Sequence, residues 1–109
     1  MSDLTSKKCI PCEEGTPPLT KTEFTPLLKQ LKLEWEVIED KKIKHEFKFE
    51  SYLNGLEFAQ EVGKLAEEED HHPNIHIYYK RVIINLSTHS IGGLSENDFV
   101  LAAKIESLS

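Results

Sequence analysis

Cysteine is scarce in this 109-residue chain: Cys9 and Cys12 are its only two, close together in Cys9-Ile10-Pro11-Cys12. A lone C-x-x-C lacks the second ligand pair of a structural zinc site and the βαβ setting of a redox motif. Long apolar runs are missing too. None approaches the roughly 18 residues that a membrane-spanning helix needs, and the N-terminus lacks the basic-then-apolar profile of a signal peptide. The sequence therefore predicts a cytoplasmic protein with no membrane attachment. Positive charge is the minority sign, 13 basic against 19 acidic residues for a net charge of −6. No basic stripe is present, which argues against direct binding to nucleic acid. Neither H-E-x-x-H nor another spaced set of metal ligands occurs, and Ser87 and Ser90 lie in no nucleophile elbow. Internal repeats and low-complexity tracts are absent as well, although a β-β-α unit occurs twice in outline.

What is present fits one soluble domain with a modest core, with 39% apolar and 29% charged residues. Residues 1–19 read as a plain, flexible leader, polar and containing proline and glycine, and residues 20–109 as the domain. Phe24, Leu27, Leu28 and Leu31 recur at i, i+3, i+4 and i+7, the pattern of an amphipathic helix. Pro26 is expected to bar a helix interior, which puts the start at Thr22 or Thr25 and the end near Lys32. Leu33, Trp35 and Val37 alternate with acidic residues, and Ile43, His45, Phe47 and Phe49 alternate with lysines and Glu46. These two runs predict a hairpin with its turn in Glu39 to Lys42.

Ser51 predicts the N-cap of a long helix carrying Leu53, Leu56, Ala59, Val62 and Ala66 along one face, with Phe58 and Leu65 beside them, weakened somewhat by Gly55 and Gly63. His71-His72-Pro73 stops it. A second hairpin follows. Ser95 with Asp98 three residues on is a capping-box pattern that opens a last helix through Phe99, Val100, Ala103 and Ile105. The order is α-β-β-α-β-β-α. The simplest architecture is an α+β fold, a four-stranded antiparallel sheet with three helices on one face and the other face open.

The stretch Glu67 to His89 concentrates the chemistry. Glu67-Glu68-Glu69-Asp70 leads into His71-His72-Pro73, and Ser87-Thr88-His89 closes the second hairpin. Pairing about Lys80-Arg81 would make facing residue numbers sum to 161 and set His72 opposite His89. The carboxylates break a local rule, because the C-terminal end of a helix favours cations, and such violations often mark functional sites. They are placed to stabilise a protonated imidazole at His71 or His72, which suits a general acid. Taken alone, the cluster reads equally as a proton-transfer or metal site or as a solvated helix end. Adjacent histidines in extended chain point in opposite directions and rarely share one ion, so acid-base chemistry leads over metal binding. His45 and His76, in alternating strands, read as structural or surface residues.

The series Glu67, three residues, His71-His72-Pro73, five residues, Tyr79, nine residues, His89, eight residues, Asp98 resembles the signature of the pterin-4a-carbinolamine dehydratase family. Leu86-Ser87-Thr88-His89 and Gly93-Leu94-Ser95 resemble the family's second half, and Trp35, Phe47 and Phe49 its first hairpin. The likeness spans roughly Leu19 to Leu108. It implies dehydration of a 4a-hydroxytetrahydropterin, such as 4a-hydroxytetrahydrobiopterin, to a quinonoid dihydropterin, a step in tetrahydrobiopterin recycling. By similarity His71 and His89 act as acids on the 4a-hydroxyl, His72 orients the pterin and serves as base, and Glu67 holds a histidine in place. Asp70, Ser87, Thr88 and Ser90 match positions that line the pterin pocket.

The resemblance implies no metal or organic cofactor, a homodimer or homotetramer, and, as the alternative function, a non-catalytic role as dimerisation cofactor of a transcription factor with some nuclear presence. Asp98, though part of the signature, is explained by the capping box, and Tyr79 reads as a packing residue at the hairpin's end. Ile75 departs from the family, several members of which carry a large aromatic there.

Overall fold

The computed structural model describes residues 4–7, 9 and 15–108, and the expected order holds: α1 Lys21–Gln30, β1 Glu36–Ile38, β2 Lys42–Lys48, α2 Tyr52–Glu69, β3 Asn74–Tyr78, β4 Arg81–Leu86 and α3 Glu96–Glu106. The four strands form one antiparallel sheet in the order β1-β2-β4-β3. Alternation along the two central strands decides which face is covered. Ile43 and Phe47 of β2 and Val82, Ile84 and Leu86 of β4 are buried against the helices, joined there by Phe24, Phe58, Val62, Phe99, Leu101 and Ile105. Eight of the eleven residues of α3 are buried, so this helix runs through the core with almost no solvent side.

Three local expectations are corrected. Helix α1 starts at neither Thr22 nor Thr25. Its N-cap is Thr20, in a capping box with Glu23, and Pro26 lies inside the helix. Proline removes the bond to the carbonyl four residues back, that of Thr22, but both residues are exposed and water can take the vacated acceptor. In α2, capped as expected by Ser51, the buried face runs through Gly55, Phe58, Ala59, Val62 and Ala66, while Leu53 is exposed. Steps of three residues drift by about 60° each on a helix, which carries Leu53 half a turn away from Val62.

The third correction is the second hairpin's register. Asn74 pairs with Asn85 and Tyr78 with Arg81, so facing numbers sum to 159 and the turn is Tyr79-Lys80. A slip of two residues leaves every side chain on the same face, so the apolar alternation does not separate the two registers. Contacts at the strand ends do: the Arg81 guanidinium lies 4.2 Å from the Tyr78 ring centre and 3.0 Å from Glu46 Oε1, and the Lys80 carbonyl accepts from Phe49 N–H. Tyr79 is therefore an exposed turn residue and not a packing one.

The leader does more than a plain tail would. Leu4–Ser6 form a 3-10 turn against α3, with Leu4 buried in the core. The Cys9 amide donates to Glu69 Oε1 at 2.8 Å, and its thiol lies 3.6 Å from the Asn97 carbonyl. Cys12 and the rest of the C-x-x-C segment lie outside the described residues.

Two glycines with opposite surroundings test this packing. A Cβ on Gly93 would sit 2.7 Å from Pro18 Cβ, whereas one on Gly63, inside α2, would meet nothing within 4 Å. Gly93→Ala should cost roughly 1–3 kcal/mol in urea unfolding, and Gly63→Ala should gain about 0.5–1 kcal/mol. Burial, reinforced by the Glu69 charge and opposed by Lys104, pushes the Cys9 thiol from 9.0 up to about 12. An unfolded thiol ionises first as pH rises, so this contribution to stability is whole below about pH 9 and fades toward pH 12. In a Cys12→Ser background, Cys9 should resist iodoacetamide at pH 8.5 until the protein is unfolded.

Candidate functional site

Helix α2 ends in a turn that aims the first histidine. Asp70 takes the left-handed conformation, with φ 51 and ψ 42, and its N–H bonds to the Glu67 carbonyl while that of His71 bonds to Ala66. These are the two bonds of a Schellman turn, a position usually held by glycine and tolerated by aspartate. Asp70 thus has a backbone role, with its side chain at the surface. The chain reverses, and the His71 side chain is only 11% exposed.

His71 meets the first turn of α3. Its Nε2 is 2.6 Å from Asp98 Oδ1, and the Asp98 side chain is fully buried. The other carboxylate oxygen, Oδ2, accepts from Ser95 N–H and from the Thr88 hydroxyl, both at 2.9 Å. With its proton given to Asp98, Thr88 Oγ1 receives the Ser95 hydroxyl at 2.8 Å. Three donors and the positive end of the α3 dipole therefore face one buried carboxylate, the compensation that a desolvated charge requires. The capping-box reading of Asp98 is right and incomplete: one oxygen caps the helix and the other holds a histidine.

This bond fixes the imidazole's chemistry. A carboxylate can only accept, so Nε2 is the donor of this bond and Nδ1 is the ring nitrogen that Asp98 does not hold. The arrangement follows the orienting logic of a catalytic triad, in which a buried acid sets the tautomer of a histidine. The second histidine repeats the theme at the surface, where His72 Nε2 is 2.5 Å from Glu67 Oε2, with both side chains more than half exposed.

The remaining residues come from the end of β4. Thr88 and Gly93 bridge through their backbones and close a short loop holding the 3-10 turn His89–Ile91 and Gly92, whose φ is +69. His89 and Ser90 are exposed on this loop, which begins directly after Thr88. Ser87 alternates with the buried Leu86 and Thr88, which turns it toward the other face of the sheet. The structure thus gathers His71, Thr88, Ser95 and Asp98 into one bonded cluster, with His72 next in sequence to His71 and His89 next in sequence to Thr88. With the strands in the 159 register, position 72 no longer faces position 89 across the hairpin. Thr88 serves by its bond to Asp98 and not by a free hydroxyl. Ser95 and the second role of Asp98 escaped the sequence, although their capping-box spacing marked both.

The acidic run at the end of α2 is resolved as well: Glu67 holds His72, and Glu69, its side chain 7% exposed, holds Lys104 at 2.8 Å. His45, by contrast, bonds through Nδ1 to the Glu34 carbonyl at 2.7 Å and packs between Trp35 and Phe47, a structural part.

Residues 17–108 match the family described as pterin 4 alpha carbinolamine dehydratase. Two relatives that carry the name pterin-4-alpha-carbinolamine dehydratase provisionally are similar over nearly their whole length. The one from Rickettsia canadensis is 48% identical over 107 residues, covering 98% of each chain, and the one from Alkaliphilus metalliredigens is 47% identical over 106, covering 97% of this chain and 96% of its own. Among solved structures, a transcriptional coactivator/pterin dehydratase from Brucella melitensis superposes with a TM-score of 0.77 at 32% identity, covering 84% of this chain and 97% of that one. A pterin dehydratase-like protein identified as a RuBisCO assembly factor in the alpha-carboxysome superposes with a TM-score of 0.60 at 25% identity, over 71% and 90% of the two chains.

The donor count around Asp98 can be tested alone. Thr88→Val keeps the shape and removes one donor, which should cost roughly 1–3 kcal/mol in denaturant unfolding. Thr88→Ser, which retains the hydroxyl, should recover most of that loss.

Proposed function

The chain belongs to the pterin 4 alpha carbinolamine dehydratase family, and on that premise we propose that it eliminates water from a 4a-hydroxytetrahydropterin by histidine acid-base catalysis. The observation that carries this reading is the buried Asp98 carboxylate on His71 Nε2, which leaves Nδ1 to exchange a proton with a ligand.

The reaction needs two proton transfers and a place for each. Hydroxide leaves C4a as an acid protonates it to water, the N5 lone pair forms the C4a=N5 bond, and a base takes the proton from N5. No net proton is consumed. His71, oriented by Asp98, and His89, on the adjacent loop, are the acids of this scheme. His72, held by Glu67, binds the pterin and accepts the second proton. Asp70 and Ser90 border the space the pterin enters, Ser87 is turned toward the other face of the sheet, and Thr88 acts through Asp98. Imidazole suits both tasks because it exchanges protons near neutral pH. Elimination from a carbinolamine requires no further cofactor in this scheme.

A homodimer or homotetramer is part of the same proposal: β1 and β3 are edge strands, and β3 presents Ile77 and Tyr78 to solvent. A second reading, a binding module for a transcription factor, draws on the coactivator named among the structural relatives. It would rest on a surface and not on the histidines.

The test follows the decay of freshly generated 4a-hydroxytetrahydropterin by ultraviolet absorbance. The protein should accelerate it, and His71→Ala with His89→Ala should lower kcat by roughly 10²- to 10⁴-fold while the fold survives. Asp98→Asn keeps the size and loses the charge that sets the His71 tautomer, so it should lower kcat by roughly 10²-fold. Full activity in the double histidine variant would refute the acids, and no acceleration by the folded wild type would favour the binding module.

A further inference from the structure

The contacts that hold the leader fall on the two helix ends that carry the His71–Asp98 pair. Glu69, the last residue of α2, stands two residues before His71 and spends both carboxylate oxygens: Oε1 on the Cys9 amide of the leader and Oε2 on Lys104 of α3, each at 2.8 Å. On the α3 side, the Cys9 thiol reaches the carbonyl of Asn97, the residue before Asp98, and Lys7 lies 3.5 Å from Glu96. Leu4 anchors the segment from below, 3% exposed within the core. We propose that Glu69 is a positioning residue: bonded to the leader and to α3 at once, it fixes the last turn of α2 and thereby the way His71 meets Asp98. This rests on the dehydratase reading of the site and deepens it by giving the leader a part.

The physical case is one of position and cost. A carboxylate at the C-terminal end of a helix opposes the helix dipole, and one that is 7% exposed has also surrendered most of its water. Two charge-assisted bonds offset that cost, while the neighbouring Glu68, facing solvent, meets no such demand. The geometry shows what the arrangement gains. His71–Asp98 is one polar tie between the end of α2 and α3, beside the core packing of Val62 and Ala66. Glu69–Lys104 is a second tie between the same two elements, its α3 partner six residues or about 9 Å beyond Asp98, and two separated ties fix an orientation. The Lys7–Glu96 pair, exposed on both sides, adds little, so the leader's hold runs through Leu4 and the Cys9 amide.

The full-length protein carrying Glu69→Ala, Glu69→Gln or Leu4→Ala would be compared with wild type in steady-state kinetics on 4a-hydroxytetrahydropterin. The ¹⁵N shifts of the His71 ring would be read by NMR on the same samples. Misplacing an acid costs turnover more than binding, so Glu69→Ala and Leu4→Ala should lower kcat about tenfold with KM within about twofold, and His71 should shift in both. Glu69→Gln, which keeps an acceptor for the Cys9 amide, should fall between and remains informative if the alanine variant does not fold. Unchanged kcat and unchanged His71 signals, with only a lower Tm, would overturn the proposal and leave Glu69 a residue of stability. Should wild type itself fail to turn over the pterin, the dehydratase reading falls by that result, and the His71 signals still decide whether Glu69 positions the ring.

Discussion

A single buried carboxylate organises the end of this protein that carries the candidate site. The Asp98 side chain is fully buried, and a charge so placed is tolerable only when donors converge on it. Supplying those donors draws in three separate parts of the chain: the start of α3 through Ser95, the loop after β4 through Thr88, and the turn after α2 through His71. Each is brought there by the core, since β4 and α3 both bury nearly all of their inner faces and α2 covers them. Packing delivers the parts to one place, and the hydrogen bonds then select one arrangement among those that packing would permit.

The fold was largely legible in the residues because its signals are local. Period-2 alternation in Ile43 to Phe49, the Ser51 cap and the Ser95–Asp98 spacing each name an element without reference to the rest. Where reading failed, the deciding contact was distant or the signal degenerate. Apolar alternation does not separate the two hairpin registers; the choice is made by Arg81 over Tyr78, by Glu46 of β2 and by Phe49 just beyond it. Thr20 wins the α1 cap although Pro26 argues for a later start, since an exposed proline loses a bond that water can replace.

The candidate site's bonded cluster was legible only in part. The histidines and Glu67 stand out by density, and the family signature gathers the rest. Which oxygen of Asp98 caps and which one holds His71, and that the Thr88 hydroxyl is committed inward, depend on side-chain directions set by three elements at once. Sequence spacing carries one of those relations, the capping box, and it masked the other. The leader illustrates the same limit, because a polar stretch with proline and glycine carries no mark of the Glu69 carboxylate waiting sixty residues away.

The near-total burial of α3 also bears on motion. Local opening of a folded domain is cheapest where few apolar contacts are lost and dearest in elements enclosed on every side. Helix α3 belongs to the second kind, so the carboxylate end of the His71 pair rides on one of the last segments to breathe. The exposed loop from His89 to Gly92 belongs to the first kind. Under the proposed function, a ligand at the histidines would meet a still wall on the Asp98 side and a pliable one on the His89 side, and the adjustment of its entry and exit would fall to that loop.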